Sequence, residues 1–322
     1  MRSLRVSRRA RDGALALARV ALASIALGSA ACAPHANPLA AGPATGGVAA
    51  NVADSVVLFD DFSGPGLDRA RWTVRVTGRD HGTVNDEQQA YVDDEGAGGG
   101  ATLRVVRGAE AAGASDGALR IAAVARRGFA APDGRTYDFV SGRLDTRGKV
   151  EFTYGTAAAR MKLPAGAGLW PAFWLLGAGP WPATGEIDVM ENVGDSAWSS
   201  AALHGPGYSG DTPLVHRDTL PAGQDATGWH VYAVDWAPDT LTFRVDERVV
   251  YRVPRPAVER YGRWAFDNPK FVILNFAVGG GYPRAVNGAG APHPGLPDAT
   301  ARRIAAGEAV TLVDWVRVTR RR

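Results

Sequence analysis

From residue 55 onward, short runs of alternating apolar and polar residues are separated by clusters of glycine, proline and polar residues. The runs are SVVLFDDF, RWTVRV, TLRVV, ALRIAAV, KVEFTYG, AAARMKLP, GEIDVME, HVYAVDW, LTFRVD, RVVYRV, FVILNFAV and AVTLVDWVRV. A period near two, rich in β-branched and aromatic residues, predicts strands. LTFRVDERVVYRV sets a two-residue polar turn between two such runs and predicts a hairpin. Helical periodicity is scarce, and RPAVERYGRWAF (255–266) is the one stretch that predicts a short helix. DEGAGGGA (94–101) and GAEAAGASDG (108–117) read as soft loops, since neither joins a strand to a helix in the order a phosphate site needs. No internal repeat of solenoid or propeller period is present. The pattern predicts an all-β fold, a single antiparallel β-sandwich of jelly-roll type.

Composition supports that class and removes others. Among 322 residues there are 40 glycines and 20 prolines, a usage suited to many strands joined by turns. Residues 1–32 begin with the basic stretch MRSLRVSRRARDG, continue with the apolar ALALARVALASIALG and end in small residues, which predicts a secretory signal peptide. The leader carries six arginines and one aspartate, so the formal charge of +3 becomes about −2 for the remainder. The basic balance thus belongs to the leader, and nucleic acid is not an expected partner. Residues 33–54 are Ala, Pro and Gly with almost no charge or aromatic content, and read as a flexible linker before a domain over 55–322.

The single cysteine, Cys32, leaves that domain without any internal disulfide. Its place after small residues resembles the lipid-attachment cysteine of bacterial lipoproteins; ordinary cleavage beside an incidental cysteine is the other reading. Either way the expected location is extracytoplasmic: secreted, periplasmic or anchored at the outer surface.

GEIDVMENVG (185–194) places Glu186, Asp188 and Glu191 in an otherwise apolar run. In a strand, Glu186 and Asp188 share one face while Ile187 and Val189 share the other. Strict alternation would turn Glu191 inward, where an unpaired carboxylate is very costly. A one-residue β-bulge near Met190 returns it to the face of the other two acids. Such a row of acids raises the pKa of at least one member. It fits either a solvated strand face or a site with one ionised and one protonated carboxyl, the apparatus of glycosidic cleavage. Trp170, Trp174 and Trp181 lie just ahead in sequence; indole faces suit the C–H faces of a sugar ring, though packing into the core is the alternative for each.

These residues resemble glycoside hydrolase family 16, in particular its laminarinase-like, endo-1,3-β-glucanase branch. The likeness runs through DDFSG, VNDEQQAY, SGRLDTRGKVEFTYG, MKLPAGAGLWPAFWLLG, GEIDVMENVG, ALHGPGYSG, HVYAVDWAPD, FDNPKFVILNFAVGGGYP and VDWVRV. The resemblance implies a concanavalin A-like jelly roll with its substrate cleft on a curved, concave sheet. It implies Glu186 as nucleophile, Glu191 as general acid/base and Asp188 as modulator, with retention of anomeric configuration. Asn85, Arg143, Trp170, Trp174, Trp181 and His204 match positions that line the sugar cleft, with a hydrogen-bonded structural role the other reading for His204.

The resemblance also implies a structural calcium on the convex side, at Asp61, Gly117 and Asp314; a hydrogen bond from Asp314 to the terminal strand is the alternative. No cofactor is implied for catalysis. One departure stands out: the family's Y-G-x-x-E-x-R reads YGTAAAR, with Ala158 in place of the acid. The expectation is an endo-acting β-glucanase, a monomer whose partner is a β-1,3 or mixed β-1,3/1,4 glucan. Transglycosylation, galactan cleavage and glucan binding without hydrolysis remain the alternatives on this fold. Metalloprotease, serine-hydrolase and cysteine-nucleophile readings fail for want of their motifs.

Overall fold

A computed structural model of the protein describes residues 55–95 and 100–320. The leader, the 33–54 segment and Cys32 lie outside the described residues. Two eight-stranded antiparallel sheets carry the fold. The first runs Leu214–Thr219, Trp198–His204, Glu186–Glu191, Leu169–Gly177, Lys270–Val278, Arg143–Asp145, Thr73–Val74, with Glu151–Phe152 also on Lys270–Val278. The second runs Arg248–Pro254, Thr240–Val245, Trp229–Ala237, Gly155–Lys162, Val310–Arg320, Ala118–Ala122, Leu103–Val106, with Ser55–Asp60 also on Val310–Arg320. Alternation along the strands sends one face of each sheet into a shared core: Phe173, Leu175, Ile187, Val272 and Leu274 from the first, Ala157, Met161, Val234 and Phe243 from the second.

The sandwich and the hairpin are as the sequence predicts; Thr240–Val245 and Arg248–Pro254 pair across a two-residue turn at Asp246 and Glu247. Other parts differ. The expected helix over 255–266 is only the turn Arg255–Val258, whereas Gly281–Asn287 and Asp298–Ala305 are helical. In the latter only Thr300 and Ile304 are buried, one i,i+4 pair, which leaves too short a stripe to register as periodicity. A short 3-10 turn, Gly108–Ala111, opens the expected 108–117 loop. A third sheet of three strands joins Gln89–Tyr91, Thr136–Ser141 and Val124–Ala130, and its first pair is parallel.

Ala158 lies on the second sheet, between Ala233 and Arg317, and its strand sends Ala157, Ala159 and Met161 to the core. The departure from the family motif therefore falls on the sheet opposite the acids and does not set the width of their cleft.

Of the oxygens expected to hold calcium, backbone oxygens and one aspartate, the carboxylate of Asp314 is already engaged. Asp314 is fully buried, and Arg160 Nη1 donates to its Oδ2 at 2.5 Å, where a metal would need a lone pair. Ser115 donates to the same carboxylate through its backbone N–H at 2.7 Å and its hydroxyl at 3.1 Å. Asp61, expected to offer a backbone oxygen, accepts at its side-chain Oδ1 from the amide and hydroxyl of Ser63. Gly117 sits against the Phe62 carbonyl, where an added Cβ would come within 2.6 Å. The Arg160 guanidinium supplies the positive charge in this corner and ties the 113–115 loop to the sheet through Gly113 O. Replacing Asp314 by Ala removes the hydrogen bonds its carboxylate accepts from Arg160 and from the amide and hydroxyl of Ser115, and is expected to cost about 1.5–3 kcal/mol in urea denaturation. Added calcium is expected to leave the wild-type melting temperature unchanged; a clear rise would restore the ion.

Candidate active site

The strand Glu186–Glu191 carries one residue more than either neighbour. On one side Phe173 faces Met190 and the next residue, Trp174, faces Asp188, so Val189 has no opposite. On the other side the three steps from Asp188 to Glu191 span two, from Ala202 to Ser200. Ile187, Val189 and Met190 all enter the core, and Glu186, Asp188 and Glu191 share the outer face. The β-bulge expected from the acid spacing is present at Val189 and Met190.

Each acid has its own polar neighbour. Trp181 Nε1 donates to Glu186 Oε2 at 3.1 Å, and Trp170 Nε1 donates to Glu191 Oε1 at 2.8 Å. His204 faces Glu186 directly across the strand pair; its Nε2 stands 3.3 Å from Asp188 Oδ2 and 3.7 Å from Glu186 Oε1. Burial pushes all three carboxyls well above the usual carboxylate range, and the charge of Asp188 raises Glu186 and Glu191 further. The indole donors and His204 oppose that rise at Glu186 and Glu191.

The approach to Glu186 is fixed from below. Gly185 has φ +71°, and a Cβ there would meet Ala265 O at 2.2 Å, so only glycine lets the chain enter the strand at that point. Beneath it the buried Lys270 ammonium donates to Thr184 O at 2.6 Å and Asn268 Oδ1 at 3.2 Å. Burial lowers its pKa to about 7. Lys270 thereby pins the turn that carries Trp181, whose ring is about half exposed at 49% and tilted against His204.

The other expected lining residues divide into two groups. Trp170 is buried in a small apolar cluster with Val193, Trp198, Ala277 and Tyr282, edge-on to the Tyr282 ring, so it packs and hydrogen-bonds at once. Trp174 donates to Asn275 Oδ1 at 2.7 Å and lies under the Arg143 guanidinium, 4.8 Å away. Asn85 is exposed on a left-handed backbone, φ +56°, and its carbonyl accepts from Gly281 N beside Tyr282. Its side chain also hydrogen-bonds to Glu87, which stands at the end of the hydrogen-bond run beneath Trp174.

Sequence reasoning passed over the support beneath Trp174. Asn275 Nδ2 donates to Tyr91 Oη at 3.0 Å, and Tyr91 donates to the buried Glu87 at 3.1 Å, which also accepts from Gln89. The signal for Asn275 was present: it is the one polar residue inside FVILNFAV. Tyr282, Ser200 and Arg217, which surround the Glu191 end, carried no comparable mark; Ser200 Oγ lies 3.4 Å from the Tyr282 hydroxyl, and Arg217 stacks on Trp198 at 3.8 Å.

A sandwich with paired, partly protonated carboxyls beside an exposed indole defines a carbohydrate-active hydrolase of the two-carboxylate class. Residues 102–289 match the family described as glycosyl hydrolases family 16. A β-glucanase of Rhodothermus marinus is 32% identical over 243 residues, covering 70% of this chain and 76% of that one. The endo-β-1,3-glucanase of Pyrococcus furiosus superposes with a TM-score of 0.69 at 34% identity, over 83% of this chain and 94% of that one. The laminarinase catalytic domain of Thermotoga maritima MSB8 gives 0.67 at 30% identity, over 84% and 99%. The chain belongs to glycosyl hydrolases family 16.

The raised carboxyls carry a stability consequence. Their folded-state pKa values lie above the unfolded ones, so the native state holds extra protons. The stability these three groups contribute is therefore full below about pH 4.5, where the unfolded carboxyls ionise, and falls as pH rises toward 8. Glu186→Gln and Asp188→Asn are expected to melt at higher temperature than wild type at pH 8 and to lose that advantage at pH 4. Equal gains at both pH values would contradict the raised pKa.

Proposed function

We propose that the protein is a retaining endo-β-glucanase that hydrolyses internal β-1,3 linkages, and mixed β-1,3/1,4 linkages, by double displacement. The observation that carries this reading is the bulge that brings Glu186, Asp188 and Glu191 to one face, each beside an imidazole or indole partner. Glu186 lies 3.7 Å from His204 Nε2 and accepts from Trp181, and both oppose the rise that burial imposes on it; it is the nucleophile. Burial first and the charge of Asp188 second raise Glu191 as they raise Glu186, but His204 stands beside Glu186 and not beside Glu191; on that difference Glu191 is read as the group that holds the proton, the general acid.

In the first step the Glu186 carboxylate bonds to the anomeric carbon as the glycosidic C–O bond breaks, and the Glu191 proton goes to the leaving oxygen. In the second, Glu191 takes a proton from water, the water oxygen bonds to the anomeric carbon, and the ester to Glu186 breaks. Configuration is retained and both acids return to their starting state. Asp188 tunes the proton affinity of both through its charge. The exposed face of Trp181 offers a platform for the sugar ring beside Glu186. Relatives that act on β-1,3-glucans, at 30–34% identity, support glucan as the substrate.

The 1–32 leader supports export, and Cys32 at its end supports a lipid anchor on an otherwise monomeric enzyme. Metabolic labelling with a fatty-acid probe is expected to mark the wild type and not Cys32→Ser; an unlabelled wild type would mean release without an anchor.

Reducing-end release should be measured on laminarin, mixed-linkage glucan, agarose, carrageenan and xyloglucan. Turnover on laminarin is expected to fall about 10²–10⁴-fold in both Glu186→Gln and Glu191→Gln. Binding of laminarin without turnover in the wild type would make this a glucan-binding protein instead. Asp188→Asn removes the charge that raises Glu191, so Glu191 gives up its proton at lower pH. The alkaline limb of the kcat profile is expected to move toward acid, and an unmoved limb would remove Asp188 from that role.

A further inference from the structure

The acid face contains more than a pair of carboxyls. Glu186, Asp188 and His204 each present a ligand atom, and the three atoms lie within 4.8 Å of one another. Asp188 is only 4% exposed, and its Oδ2 has no hydrogen-bond partner among the described residues. That oxygen faces His204 Nε2 at 3.3 Å without the alignment of a hydrogen bond. We propose that Glu186, Asp188 and His204 form a binding site for a divalent transition-metal ion of the zinc type, and that the ion inhibits the enzyme reversibly.

The distances suit such an ion. Zinc bonds to imidazole nitrogen and carboxylate oxygen at about 2.0–2.2 Å, which places tetrahedral ligands about 3.3–3.5 Å apart. His204 Nε2 stands 3.3 Å from Asp188 and 3.7 Å from Glu186. The remaining edge, between the two carboxylates, is no longer than 4.8 Å, and a rotation of the Glu186 side chain would close it. Three protein ligands leave a fourth position for water. The imidazole donor favours a zinc-type ion over calcium and magnesium, which prefer oxygen ligands. The buried His204 Nδ1 has no acceptor among the described residues. Without that outer support the site binds in the micromolar range rather than with the tenacity of a resident metal.

An ion held there occupies the carboxylate of Glu186 and stands where the sugar must approach. Inhibition is therefore competitive with glucan and released by a chelator. This consequence rests on Glu186 being the nucleophile; binding itself does not.

The test is calorimetric titration of the full chain with zinc chloride in a non-coordinating buffer, alongside His204→Gln and Asp188→Asn. One equivalent in the micromolar range, weakened at least tenfold in each variant, is the expected result. On the wild type alone, zinc is expected to protect His204 from diethyl pyrocarbonate, read by peptide mass mapping, so the outcome does not depend on the variants folding. Absence of binding, binding indifferent to both substitutions, or unprotected His204 would overturn the site. Zinc binding through these residues in a protein with no glucanase activity would keep the site and remove the proposed function. Zinc binding with activity untouched would retain the site and refute its inhibitory role.

Discussion

The β-bulge at Val189 and Met190 is the constraint on which the site depends. Six residues of one strand must send three apolar side chains into the core and turn three carboxyls to the other face, and a period of two cannot do both. In a regular strand Glu191 would turn inward beside Ile187 and Val189. Burying an unpaired carboxylate costs several kcal/mol, comparable with burying Ile187 and Met190, which contributes about 1.5–3 kcal/mol each. Doubling one inward position resolves the conflict, because Val189 and Met190 then both face the core. The same extra residue changes the offset of Glu191 from Glu186 along the strand. Core packing and the placing of the two terminal acids thus have one cause.

Around this strand, rigidity comes from hydrogen bonds that hold aromatic rings rather than from ionic pairs among the acids themselves. Trp170 and Trp181 each give their one N–H to a carboxyl. Trp174, in the neighbouring strand, gives its own to Asn275, and the chain through Tyr91 ends on the buried Glu87. Every donor in that chain points toward Glu87, so its carboxyl anchors a polarised run of hydrogen bonds beneath the site. Lys270 performs a similar task under Glu186 by tying the Thr184 turn to the sheet. These supports hold carboxyls whose burial opposes ionisation. Local instability at high pH and chemical readiness are consequently two effects of the same desolvation.

The chemistry was far more legible in the sequence than its surroundings. The spacing of Glu186, Asp188 and Glu191 encodes both face and bulge, since it conflicts with alternation at one residue only. The strand Leu169–Gly177 was visible as an aromatic stretch but not as a strand, because Pro171 in its middle interrupts the usual strand signal. Asp298–Ala305 escaped notice because two buried positions do not make a periodic stripe. Asp314 fitted a family position for calcium, yet its carboxylate is held by Arg160, a residue 154 positions away. Ala158 drew attention as a departure and lies on the opposite sheet. Each of these last points depends on which strands become neighbours, and local pattern does not carry that information.

The most direct measurement is to trap the first displacement. A 2-deoxy-2-fluoro glycosyl fluoride of a β-1,3-glucan disaccharide slows breakdown of the ester intermediate, and mass spectrometry of the digested protein locates the adduct. One sugar equivalent attached to Glu186, with none on Asp188 or Glu191, is the expected result. An adduct on either of the other acids would contradict the assigned roles, and turnover with inverted anomeric configuration and no adduct would contradict the double displacement itself.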